Sequence, residues 1–250
     1  MKIKSGKYPL YLSVLILSSS LLLSVSAQSA SASLEQQREL YQDAKRALRA
    51  GDLTKFRSIS TSLVDYPLYP YLMYAYMSPR LSSFKDEDIM DFIEEYDDSP
   101  LANDLRKTWL RSLAQRGRWQ AYLDAYTPQS DTVLQCQQLL ARIKTGNTDE
   151  SLYEDIKKVW LVGKSQPDQC DPAFEVLYKS DHLTPELIWG RIGLAIQNNQ
   201  TGLARYLGRR LDDSGRQWLE RWITAHHTPA RITRNPGYDD TPLARDILFH

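Results

Sequence analysis

Residues that usually carry reactive chemistry are scarce in this sequence, which has two cysteines and four histidines among 250 residues. His182, His226, His227 and His250 have no further ligands at metal-like spacing. His226 and His227 are consecutive, so on a helix their rings point about 100° apart and cannot chelate one ion together; a solvated helix end suits them. No nucleophile elbow, Gly-rich phosphate loop or Cys-His arrangement is present. Period-2 alternation of apolar and polar residues is missing as well, which argues against strands. No metal, cofactor or catalytic residue is therefore expected from these residues.

Charge of one sign is also lacking, with 31 basic and 31 acidic residues in the whole chain. The first residues alter that balance. "MKIKSGKYPLYLSVLILSSSLLLSVSAQSASAS" carries Lys2, Lys4 and Lys7, then an uncharged Leu/Ile/Val stretch, then small residues. This is the pattern of a secretory signal peptide, residues 1–27, with cleavage expected between Ala27 and Gln28; Ala30 and Ala32 also fit the small-residue rule. A membrane anchor is the competing reading, but Ser18 to Ser20 dilute the apolar run and no basic stop-transfer flank follows. No cysteine lies near the cut, so a lipid anchor is excluded. Removing three lysines and no acids leaves 28 basic against 31 acidic residues, a net charge of about −3. Such a balance gives no reason to expect nucleic acid or an anionic membrane surface as partner. Cys136 and Cys170 both lie in the exported part, and an even count in an oxidising compartment favours a disulfide between them.

Residues 28–250 read as helix almost throughout. Leu40, Tyr41, Ala44 and Leu48 make one apolar stripe, closed by Gly51. Leu101, Leu105, Trp109 and Leu113 lead to Gly117, and Leu139, Leu140 and Ile143 lead to Gly146. Leu152, Ile156, Val159 and Trp160 lead to Gly163, and Ile188, Ile192 and Ile196 lead to Asn198-Asn199. A helix, a short Gly turn and a second amphipathic helix recur with a loose period. Such pairs bury their apolar faces by stacking, so the fold class expected is all-α, an irregular α-superhelix of stacked helical hairpins. "YDDTPLARDILFH" opens another stripe, with Thr241 as cap, Pro242 at the first position and Leu243, Ile247 and Leu248 on one face. The array is therefore expected to be incomplete at its C-terminus.

Several stretches invite a functional reading and have a plainer one. The acidic runs Asp86-Glu87-Asp88, Glu94-Glu95, Asp97-Asp98 and Asp212-Asp213 fall at helix ends, where acids are usually solvated. Arg116 to Trp119 and Arg205 to Arg210 are small basic patches with aromatic neighbours that could contact a glycan or the acidic parts of stem peptides, but helix termini attract Arg in any case. Tyr66, Tyr69, Tyr71, Tyr74 and Tyr76 form a dense belt, read as packing between helices, with sugar stacking as the rival. Tyr66-Pro67 and Tyr69-Pro70 are expected to keep that segment extended.

"DYPLYPYLMYAYM" (Asp65 to Met77) and "VWLVGKSQPDQCDPAF" (Val159 to Phe174), with Gln135-Cys136 ahead of the second, resemble the N-terminal part of the soluble lytic murein transglycosylases. The resemblance runs from Leu34 to Leu207. It implies a U-shaped helical domain, a linker domain that closes a ring, and a separate lysozyme-like catalytic domain. It also implies a periplasmic enzyme of Gram-negative bacteria that cleaves the MurNAc-GlcNAc bond of peptidoglycan glycan strands to 1,6-anhydromuropeptides. The family's catalytic Glu sits in a Glu-Ser-x-Trp/Tyr motif, with Gly-Leu-Met-Gln and Ala-Tyr-Asn-Ala-Gly downstream. Glu150-Ser151-Leu152-Tyr153 matches the first pattern, but neither downstream motif follows. Glu150 is read as an acid in the first turn of a helix that follows a Gly146-Asn147-Thr148 turn and cap. The expectation is a scaffold part without its catalytic domain, not membrane-anchored once the signal is removed. The alternative is a free-standing helical module that binds a protein or peptide.

Overall fold

The computed structural model describes residues 15–230 and 244–245, with side chains from residue 33 onward. The helix start expected at Thr241, Pro242, Leu243, Ile247 and Leu248 lies outside the described residues, as do residues 1–14 of the expected signal and the side chains of Ala27 and Gln28. Among the described residues all regular structure is helical, as the stripes predict. None of these helices is long and apolar enough to cross a membrane.

The chain divides into two compact units between Leu105 and Arg106. The first holds α1 (Leu15–Ala50), α2 (Leu53–Ser60), α3 (Tyr69–Met77) and α4 (Asp86–Glu95). Its core gathers Tyr41, Ala44, Phe56, Leu63 and Leu72, all buried, so the stripe read at Leu40 to Leu48 faces inward. Tyr66 is buried against Tyr41, with ring centroids 5.4 Å apart, and Tyr76 lies 4.6 Å from Phe56. Tyr71 is the exception in the belt, 54% exposed. One expectation fails here. Tyr69-Pro70 does not stay extended but starts α3, with Pro70 in the first turn, where a missing N–H has no intrahelical partner to lose.

The division falls within α5 (Pro100–Gln115). The second unit continues with α6 (Trp119–Ala125), α7 (Thr132–Lys144), α8 (Glu150–Trp160), α9 (Asp171–Tyr178), α10 (Pro185–Gln197), α11 (Thr201–Gly208) and α12 (Asp213–His227). Successive helices pack as neighbours, α7 on α8 and α9, and α10 on α11. One turn device recurs. Gly146, at φ 77°, lets Asn147 N–H bond back to Arg142 O at 2.9 Å and closes α7. Asn199 does the same at φ 59°, with Gln200 N–H on Ala195 O at 2.7 Å, so at the Asn198-Asn199 end of α10 an Asn takes the place of Gly.

The α7–α8 hairpin is also tied by a charge. The Arg142 guanidinium is buried and donates to Asp155 at 2.8 Å, Asp149 at 2.9 Å and Ser151 at 2.7 Å. Asp149 also caps α8, accepting from Leu152 N–H at 3.2 Å, so the cap lies one residue beyond the Gly146-Asn147-Thr148 turn expected to supply it.

Candidate functional site

The stretch Leu161–Pro167 joins α8 to the turn before α9, and grooves open on both sides of it. Four constraints hold it, none of them within its own backbone ladder. The first is covalent: Cys170, just beyond the loop, is bonded to Cys136 on α7, and both are fully buried. The second is Arg191 on α10, a buried guanidinium whose Nε donates to Val162 O at 3.3 Å and whose Nη2 donates to Lys164 O at 3.4 Å. Its plane lies over Trp160 at 4.6 Å and Phe174 at 5.6 Å, where aromatic faces offset part of the loss of water around a cation. Burial lowers its pKa, yet guanidinium starts so high that it stays charged at neutral pH. The third is Gln166, whose Nε2 donates to Val159 O at 2.9 Å.

The fourth constraint is Gly163, and here the expected role is corrected. α8 ends at Trp160 with Leu161 as its cap, so Gly163 does not terminate the helix. A Cβ at Gly163 would stand 2.3 Å from Leu194 O and 2.3 Å from Asn198 Nδ2. Glycine is required because the loop lies directly on the backbone of α10. Gly163→Ala is accordingly expected to lower stability by about 2–3 kcal/mol through overpacking against main chain. A thermal melt with an unchanged midpoint would refute that reading of the contact.

The larger groove, about 640 Å³, is lined by the ends of α6, α7 and α8 and by Val162, Lys164 and Gln166 of the loop. The smaller, about 480 Å³, lies on the other side of Gln166, between α9, Arg191 and Tyr206 of α11. In the larger groove burial raises the pKa of Tyr126 further above neutrality, so its hydroxyl stays protonated. Asp155 there is held from both sides, by Arg142 on one oxygen and Lys158 on the other, each at 2.8 Å. The larger groove thus offers binding surface, with amides, hydroxyls and lysines around an aliphatic floor. The one carboxylate lining the larger groove, Asp155, is thus already paired, whereas Asp168, Asp171 and Glu175 line the smaller groove, with Glu175 3.6 Å from Lys179.

Similarity to known proteins sets these features in a family. No protein-family model matches the chain. Over 192 residues it is 32% identical to the soluble lytic murein transglycosylase of Escherichia coli, covering 76% of this chain and 30% of that protein. The protein of the same name from Salmonella typhimurium is 32% identical over 223 residues, or 87% of this chain and 34% of the relative. An inactive mutant of the lytic transglycosylase Slt from Pseudomonas aeruginosa superposes with a TM-score of 0.71 at 32% identity, over 84% of this chain and 34% of that one. The 70-kDa soluble lytic transglycosylase in complex with bulgecin A matches with a TM-score of 0.71 at 27% identity, over 86% of this chain and 35% of that one. The chain belongs to the soluble lytic murein transglycosylase family. It spans about a third of the length of the relatives it matches.

Within this family member the residues singled out from sequence are scattered. Glu150 is the first residue of α8, its side chain 72% exposed and 3.5 Å from His182 Nδ1. His182 in turn stacks on Tyr153 at 3.9 Å. Asp86, Glu87 and Asp88 occupy the first turn of α4, and Asp212 caps α12 through Gly215 N–H at 2.7 Å. Arg205 forms a bidentate pair with Glu220 at 2.9 and 3.1 Å, while Arg210 lies 3.9 Å over Tyr178. His226 and His227 end α12, and His226 bonds Asn199 Oδ1 at 2.8 Å. Among the described residues no cluster of His, Cys, Asp or Glu is arranged to hold a metal ion. Sequence reading missed Arg191 and Arg142. The available signal was a lone arginine inside an apolar helix, "LIWGRIGLAI" and "LLARI", where an unpartnered charge would be costly.

Proposed function

We propose that this chain is the helical, non-catalytic part of a periplasmic soluble lytic murein transglycosylase, an enzyme that cleaves peptidoglycan glycan strands to 1,6-anhydromuropeptides. Residues 1–27 serve as its signal peptide, with cleavage between Ala27 and Gln28, and Cys136–Cys170 as a disulfide formed after export. The supporting observation is the identity of 32% to enzymes of that name, carried across nearly the whole helical region at a TM-score of 0.71. The chemistry belongs elsewhere in the enzyme. The one match to the catalytic Glu-Ser-x-Tyr pattern is an exposed acid in the first turn of α8, a position that the helix dipole favours for any carboxylate.

The test is a murein zymogram of purified residues 28–250 with co-sedimentation on intact sacculi. No clearing and retention on sacculi are expected. Clearing that disappears in Glu150→Gln would overturn the scaffold reading. Failure to sediment with sacculi would favour the free-standing binding module instead.

A further inference from the structure

We propose that the larger groove beside Leu161–Pro167 is a peptide-binding site that takes a short, extended acidic peptide, the class that peptidoglycan carries on its glycan. This deepens the reading above and rests on it for the identity of the ligand. The carrying observation is the way the groove's amides are fixed. Gln129 Nε2 donates to Thr127 O at 3.0 Å, Gln135 Nε2 to Gln129 O at 2.6 Å, and Gln166 Nε2 to Val159 O at 2.9 Å. Each glutamine commits an N–H to the protein's own main chain, which fixes the side chain before any ligand arrives. Amides fixed in this way suit a ligand that carries amide groups along its length, as a short peptide does.

Charge supplies the second half of the argument. Asp155 is already neutralised by Arg142 and Lys158. Lys164, exposed and lining the same groove, forms no ion pair among the described residues, so the groove keeps an unbalanced cation for a carboxylate. A bare glycan fits less well. A pyranose face needs an open aromatic platform. The one ring in this groove, Tyr126, already lies against Tyr122 with centroids 6.0 Å apart at 21°. The floor is instead aliphatic, with Leu139, Val159 and Val162, and accommodates methyl and methylene side chains.

Calorimetric titration of the purified exported chain with L-alanyl-γ-D-glutamyl-meso-diaminopimelate tests this, with peptide-free glycan strands as the second arm. The tripeptide is expected to bind, with affinity falling as salt is raised, and Lys164→Ala to weaken it about tenfold with an unchanged melting temperature. Gln135→Leu is expected to weaken it as well, without changing the salt dependence. Binding of the peptide-free strands that is equally sensitive to Lys164→Ala would overturn the choice of occupant and leave the family reading standing. No heat from the tripeptide, while the chain still sediments with sacculi, would overturn the site alone. Loss of both would take the proposed function with it.

Discussion

Arg191→Ala is expected to destabilise the site-bearing unit by about 3–5 kcal/mol, among the largest effects of any single substitution in the chain. Three losses coincide. Val162 O and Lys164 O lose donors carrying full charge, worth about 1.5–3 kcal/mol each where desolvated. Trp160 and Phe174 lose the cation between them, and a cavity of guanidinium size opens beside α10. These terms overlap, so their sum is an upper bound. Arg191→Met separates them, because it fills most of the volume but donates nothing to the loop. It is expected to recover part of the stability while leaving the amides of Gly163 to Gln166 fast in hydrogen exchange. Urea denaturation followed by tryptophan fluorescence gives the stability. A loss below about 1 kcal/mol for the alanine variant would show that the guanidinium is solvated rather than structural.

Replacing both cysteines by alanine is expected to cost about 3–4 kcal/mol. The crosslink closes a sequence separation of 34 residues, and in the chain-entropy model a loop of that length restricts the unfolded chain by this amount. The folded protein should contribute a little more, because both sulfurs are fully buried and their loss leaves unfilled space. Intact mass with and without reductant, each after alkylation, reads the bond directly, and no free thiol is expected before reduction. Two alkylated cysteines in the unreduced protein would remove the crosslink from the account. Both perturbations also loosen the same packed cluster, where Trp160 and Phe174 lie beside Arg191 and share a core with the two cysteines, so the combined variant is expected to depart from simple additivity.

What could be read from sequence and what could not divides along the distance between the groups involved. The stripe Leu152, Ile156, Trp160 is a local pattern, and those residues are buried where the period places them. Gly51, Gly117 and Gly146 all have positive φ, because a left-handed turn is decided within one or two residues. Gly163 looked like a fourth member of that series and is not. Its role depends on Leu194 and Asn198, some thirty residues along, and nothing nearby in sequence announces that approach. The same holds for Arg191, whose partners are 27 and 29 residues upstream. Tyr69-Pro70 failed for another reason. The bias of a pre-proline residue toward extended backbone is modest, and packing of α3 in the first core overrides it. The larger groove was invisible because its glutamines are separated in the chain and become a set only when α7 and the loop meet.

The position of the crosslink also decides what a protease can do to this chain. Lys164, exposed at the tip of the loop, is where a trypsin-like enzyme would look for a foothold. Its carbonyl is tethered by Arg191, which resists the local unfolding that cleavage requires. Should the bond be cut, Lys164 lies between Cys136 and Cys170, so the two pieces remain covalently joined. A nick after Lys164 therefore cannot by itself release either piece of the chain.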